Sequence, residues 1–377
     1  MKIAVNTRLL LPNALDGIGW FTYQTLKRIT KQHPEHHFYF IFDRPYSKEF
    51  IFNDNITPVV IHPQARHPLL WYLYYEYATP HILKKITPDL YLSTDGWLPT
   101  KLPCKSVDVI HDLNFAHHPE FIKPLVHKYY SYFFPKFAQT ATRIATVSEY
   151  TKQDIHNIYG IPLQNIDVVY NGVNHEFKPL SDEGKKSVCA AYTQGNPYFL
   201  FVGLIHKRKN LDNIFKAFDI FKEKLGSKAY KLLVVGEKKW WKGDIADAFA
   251  AMKYKEDVIF QGRVPSDELA KLMGAATALL YPSLFEGFGI PIIEAFHSHT
   301  PVITSNITSM PEVAGDAALL INPYSADEIA GAMEQIVTDG NLVNALIDNG
   351  EKRKNNYSWD ITADRFWRTI ERVLFSS

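Results

Sequence analysis

Twelve short apolar runs, separated by longer stretches of helical periodicity, constrain this chain more than any other feature. They are KIAVNT, HFYFIF, DLYLS, VDVIHD, RIATVS and DVVYN, then YFLFVG, KLLVVG, VIFQG, ALLYPS, PVITS and ALLINP. Strands of this kind alternating with helices imply α/β architecture, with parallel sheets covered on both faces. Twelve strands are many for one sheet. A polar segment, HEFKPLSDEGKKS, follows the Asn171–Gly172 turn and separates two similar series. Two doubly wound domains are therefore expected, 1–172 and 173–359, and 377 residues at 46% hydrophobic content suffice for two cores. Such sheets take ligands beyond the carboxyl ends of their strands, so two domains facing across a cleft would place the site between them.

Composition narrows the function. With 41 basic and 40 acidic side chains, no overall field favours nucleic acid or an anionic surface, and none is expected as a nucleic-acid partner. Cys104 and Cys189 fall in different predicted domains, which suits reduced thiols in a cytoplasmic protein. The start, MKIAVNTRLLLPN, reads as a first strand rather than a signal peptide, and no stretch approaches the roughly 20 apolar residues of a membrane-spanning helix.

The richest chemistry lies in PSLFEGFGIPIIEA, residues 282–295. Gly287 and Gly289 permit a sharp turn, and Pro291 suits a first helical turn because its missing N–H would be unpaired there anyway. The turn aims backbone N–H groups at the helix mouth, around Phe288 and Ile290, at an anion such as a diphosphate. Glu286 then precedes the helix and Glu294 lies one turn inside it, so the two carboxylates can flank a ligand. In FVGLIHKRKN a strand ends at Gly203 and a loop delivers Lys207, Arg208 and Lys209, a planar fork and point charges suited to two phosphates. His111 ends VDVIHD at a carboxyl edge, with Asp112 after it. In LDGIGWFTY, Gly17 and Gly19 form a loop that lets backbone approach a ligand, although Thr22 stands where a dinucleotide fingerprint needs its third glycine. Ser148 and Thr151 in VSEYTKQDI suit helix caps. No metal site is expected, since no D-x-D or H-x-x-x-H stands in a suitable context.

With PVITS and a loop holding Pro311 and Glu312 downstream, the chain resembles the family 4 retaining glycosyltransferases of the GT-B fold. Their pattern is close to S-x-x-E-G-F-G-x-P-x-x-E-A followed by P-V-I and P-E-V, and the match spans the C-terminal half. The resemblance implies two Rossmann-like domains, a C-terminal helix at about 360–377 crossing back onto the first, and a nucleotide-sugar donor site in the second. Arg208 and Lys209 would hold the diphosphate, Glu286 the sugar hydroxyls, Glu294 the ribose and His111 the donor sugar. The loops at Gly17, Gly19 and Gly203 would face the donor, and the backbone at Arg263 and Val264 the nucleobase. The segment VSEYTKQDI also resembles a serine loop of that family. No cofactor or metal is implied beyond the nucleotide sugar.

The form H-D-L followed by P-E-F resembles mannosyltransferase-like members, which favours GDP-mannose over a UDP-hexose. A glycan or lipid-linked saccharide of surface polysaccharide or lipopolysaccharide synthesis is the expected acceptor. A nucleotide-sugar epimerase and a non-catalytic nucleotide-sugar-binding protein are the alternatives. Peripheral contact at the inner face of the membrane is left open by Trp240 and Trp241 in EKKWWKGD. The aromatic segments 69–80 and 127–137 are either core helices or an acceptor surface.

Overall fold

The computed structural model describes residues 1–12, 14–226, 229–238 and 241–375. The chain divides into two compact units, Met1–Gly172 with Trp359–Ser377, and Val173–Ser358. In the first unit β1 (Lys2–Asn6), β2 (His37–Phe42), β3 (Ile56–Val60), β4 (Leu90–Ser93), β5 (Lys105–Ile110), β6 (Arg143–Thr146) and β7 (Ile166–Val168) form one sheet. Its order is β3-β2-β1-β4-β5-β6-β7, and all pairs are parallel. β3 is absent from the twelve runs read in the sequence. Its segment, ITPVV, carries Pro58, and a proline without a ladder donor is tolerated at a sheet edge, where β3 lies.

The second unit repeats the scheme with β8 (Tyr198–Val202), β9 (Lys231–Val235), β10 (Val258–Gly262), β11 (Ala278–Tyr281), β12 (Val302–Ser305) and β13 (Leu319–Ile321). The order is β10-β9-β8-β11-β12-β13, again parallel. All five residues of β8 are buried, as a strand with helices on both faces requires. Each sheet has one switch point, where the strand order reverses, at β1/β4 and at β8/β11.

The C-terminal helix Trp359–Leu374 belongs to the first unit. Phe366 meets Phe21 with ring centroids 5.4 Å apart, Trp367 stacks on His33 at 3.7 Å, and Thr362 donates to the Tyr170 carbonyl at 2.7 Å. The expected glycine loop is corrected. Asp16 caps a helix that starts at Gly17, so Gly17 and Gly19 lie in its first turn, and the Gly19 N–H is already given to Asp16 Oδ1 at 2.9 Å. Pro311 and Glu312 likewise sit in a short helix, Met310–Ala314, rather than a loop.

The aromatic segments are part core and part exposed surface. Tyr75, Tyr129, Phe134 and Phe137 pack around Trp97 in the core, while Leu69, Tyr72, Leu73, Tyr77 and Tyr132 are exposed. Trp241 is enclosed by Phe215, Phe249 and Phe260, and Trp240 lies outside the described residues. Among the described residues no helix is long and apolar enough to cross a membrane.

Candidate active site

The switch point of the second sheet assembles a compact ionic cluster. After β8 the chain passes Gly203, at φ +147°, and makes a single tight turn over Lys207–Lys209. Asn210 adopts the left-handed conformation, and its buried amide donates to the carbonyls of Pro282 at 2.9 Å and Pro323 at 2.6 Å. The Leu284 N–H reaches the Arg208 carbonyl at 2.8 Å. These bonds pin the loop after β8 to the loop after β11, which is why residues nearly 80 positions apart meet.

Glu286 is the centre of the cluster. Arg208 Nη1 donates to Glu286 Oε2 at 3.0 Å, and Lys209 Nζ donates to Glu286 Oε1 at 2.6 Å. Lys209 also donates to the Tyr281 hydroxyl at 2.6 Å. Burial pushes the Glu286 carboxyl up, but Arg208 and Lys209 outweigh it and hold it below the usual glutamate range. Two cations against one carboxylate leave a net positive charge, with Arg208 about a quarter exposed at 26%. The Lys209 stem packs over Gly203, where an added Cβ would stand 3.4 Å from Lys209 Cε.

Beside the cluster begins the helix Ile290–His297. Gly289 stands at its N-cap with φ +102° and no side-chain cap, so the first N–H groups are left to backbone, water or ligand. The Ser309 hydroxyl fixes the turn by donating to the carbonyls of Glu286 at 2.9 Å and Phe288 at 3.1 Å. Phe288 itself is buried edge-on against Tyr357, with centroids 5.6 Å apart.

Glu294 lies within that helix and differs in electrostatics from Glu286. Burial and the repulsion of Glu176 push its carboxyl up to about 8. Hydroxyl donors favour the ionised form, so a ribose, if bound there, would expel the proton. Calorimetry of nucleotide binding at pH 7 in buffers of different ionisation enthalpy should show about one proton released. Glu294→Gln should release none, and zero release by the wild type would contradict a ribose at Glu294. The folded pKa exceeds the unfolded value near 4.5, so the nucleotide-free protein binds more protons folded than unfolded. The contribution of Glu294 to stability should therefore fall as pH rises from about 4.5 to about 8, and Glu294→Gln should remove that part of the pH dependence.

The other predicted residues are placed as follows. His111 follows β5 in the first unit, half-buried, its ring edge-on to Phe21 at 5.1 Å. Nε2 bonds the Thr94 carbonyl at 2.8 Å and so carries the proton, while burial lowers the ring pKa. Nδ1 of the neutral ring is then an acceptor for a hydroxyl. Asp112 Oδ1 accepts from the Asn114 N–H at 3.0 Å. Ser148 caps the helix Glu149–Tyr159 through the Thr151 N–H at 3.0 Å. Arg263 is exposed and Val264 half-buried just past β10, two strands from β8. Among the described residues no three His, Cys, Asp or Glu side chains gather as metal ligands. Tyr281, Asn210 and Ser309, which complete the cluster, were not singled out by sequence; only the asparagine before a helix, a residue tolerant of the left-handed conformation, gave a signal.

Comparisons with known proteins identify the family and the fold. The model for glycosyl transferases group 1 matches residues 190–353, and that for Glycosyltransferase Family 4 matches residues 15–177. O-antigen chain mannosyltransferase RfbU of Salmonella typhimurium is 30% identical over 271 residues, 71% of each chain. O-antigen chain mannosyltransferase B of Escherichia coli is 28% identical over 275 residues, 72% of this chain and 71% of the relative. The crystal structure of WaaG, a glycosyltransferase involved in lipopolysaccharide biosynthesis, superposes with a TM-score of 0.76 at 16% identity, covering 99% of this chain and 100% of that one. Two Rossmann-like units of this kind make up the GT-B fold. The chain belongs to the group 1 glycosyltransferases, with the family 4 pattern in its first half.

Proposed function

We propose that the chain transfers a mannosyl group from GDP-mannose, with retention at the anomeric carbon, to a glycan or lipid-linked saccharide of surface polysaccharide or lipopolysaccharide synthesis. The observation that carries this is the Arg208–Glu286–Lys209 cluster set beside the start of the helix at Ile290. Two cations and free helical N–H groups stabilise the charge that a diphosphate gains as it leaves. No metal or further cofactor is required for that charge balance. The mannosyl donor is supported by the two O-antigen mannosyltransferase relatives.

Retention has two routes, and the geometry favours one. A glycosyl-enzyme needs a free carboxylate beneath the anomeric carbon. Both Glu286 oxygens are engaged by cations, which makes it a poor nucleophile. In same-face displacement the bond from the anomeric carbon to phosphate breaks, the acceptor oxygen bonds that carbon, and the acceptor proton passes to the departing diphosphate. Glu286 then orients sugar hydroxyls and the two cations, Glu294 holds the ribose, Arg263 and Val264 lie by the base, and His111 accepts a hydroxyl of the sugar. Peripheral contact at the inner membrane face belongs to the same proposal, supported by the outward Leu69, Leu73 and Tyr77 ahead of Lys84 and Lys85. The test is the anomeric one-bond C–H coupling of product made from GDP-α-mannose and lipid-linked saccharides. An α-linked product is expected, and a β-linked product would overturn the mechanism.

A further inference from the structure

At the switch point of the first sheet, just past β1, stands an arginine that the transfer chemistry leaves unused. The Arg8 side chain is only 11% exposed, and its Nε–H donates to Asp95 Oδ2 at 2.8 Å. Asp95, just past β4, is itself fixed by Asn6 Nδ2 at 2.8 Å and the Ser93 hydroxyl at 3.1 Å. The guanidinium carbon lies 4.9 Å from the Trp97 ring centroid and 5.8 Å from that of Tyr75. Pairing and aromatic walls together fix the orientation of the group.

A guanidinium carries five N–H donors. Among the described residues only the Nε–H of Arg8 has a hydrogen-bond acceptor, so the four on Nη1 and Nη2 are open. The side chain is 11% exposed, and neither nitrogen is among the buried unpartnered atoms, so these donors can be reached from solvent by an anion. The open edge is also the one that binds two oxygens of a phosphate or carboxylate in parallel. Its position past the carboxyl ends of β1 and β4 is where a doubly wound sheet takes its ligand.

We propose that Arg8 binds an oxyanion, a phosphate or carboxylate carried by the acceptor, with Asp95 as its positioning residue. Calling the carrier an acceptor rests on the glycosyl-transfer function proposed above; the oxyanion site does not. Trp97 and Tyr75 exclude water from one side of the guanidinium, which strengthens each bond it makes.

The test is titration of inorganic phosphate, farnesyl diphosphate and glucuronate into protein already saturated with GDP, followed by calorimetry. Saturation fills the Arg208–Lys209 cluster, and an Arg208→Ala/Lys209→Ala double variant serves instead if GDP does not bind. The wild type should bind phosphate, and Arg8→Gln should bind it at least tenfold more weakly with GDP affinity unchanged. Should Arg8→Gln fail to fold, Arg8→Lys keeps the charge without the fork and should still lose severalfold. Tighter binding of farnesyl diphosphate than phosphate assigns a lipid diphosphate, and tighter glucuronate assigns an acidic sugar. Equal phosphate affinity in the wild type and the Arg8 variants, or no binding of any probe at 20-fold above about 1 mM, overturns the site.

Discussion

Arg208→Ala and Lys209→Ala should each lower turnover of the nucleotide-sugar donor by more than tenfold, on the order of 10²–10³-fold if each acts as an oxyanion-type donor to the leaving diphosphate. The two will differ in what else they lose. Arg208 is the more exposed and is linked to Glu286 through one nitrogen, so its removal should act mainly on the transition state. Lys209 is more deeply buried and holds both Glu286 and Tyr281, so its removal leaves a buried carboxylate with Arg208 as its remaining cation. An added loss of about 1–3 kcal/mol of stability is expected from that. Steady-state kinetics with chemical denaturation on the same samples separates the effects. Turnover within threefold of wild type in both variants would remove these residues from the chemistry.

Gly236→Ala should be the most damaging single methyl group in the second unit. An added Cβ would stand 1.8 Å from the Gly203 carbonyl oxygen and 2.7 Å from its carbon, at φ +153°. Backbone cannot rotate aside as a side chain can. The Gly203 N–H donates to the Val235 carbonyl at 3.0 Å and the Gly236 N–H to the Gly262 carbonyl at 2.8 Å, so the ends of β8, β9 and β10 are locked together. Relief of the clash must spread those ends and shift the seat of Lys209. Roughly 3 kcal/mol or more should be lost, with donor turnover. Gly160→Ala is the control: it shares positive φ, at +69°, but nothing lies within 4 Å of its added Cβ, and only about 1 kcal/mol is expected. Equal urea midpoints for Gly236→Ala and Gly160→Ala would refute the close-approach argument.

The fold was largely legible because parallel strands buried on both faces are apolar along nearly their whole length, as YFLFV is and as KLLVV is after Lys231. β3 escaped because Pro58 breaks that signature and edge strands do not need it. The start of the helix at Gly17 escaped because two glycines outweigh a cap in a propensity reading, whereas Asp16 supplies the cap that decides it. At the site, residue types were legible and their pairing was not. Arg208 and Lys209 were assigned to a diphosphate and Glu286 to a sugar. That one carboxylate bridges both cations follows only from the neighbouring positions of β8 and β11 in the sheet. Arg8 was not singled out in the sequence, because the orientation of its open edge depends on Asp95, 87 residues away.

The most direct test of the donor site is thermal unfolding of the wild type and of Arg208→Ala with GDP, UDP, ADP and their hexose conjugates, each with and without EDTA. At 100 times its dissociation constant a ligand of the folded state adds about 2.7 kcal/mol. A rise selective for GDP and GDP-mannose, unchanged by EDTA and lost in Arg208→Ala, is predicted. No rise with any nucleotide, or a rise of equal size in Arg208→Ala, would contradict a diphosphate site built on Arg208, Lys209 and Glu286.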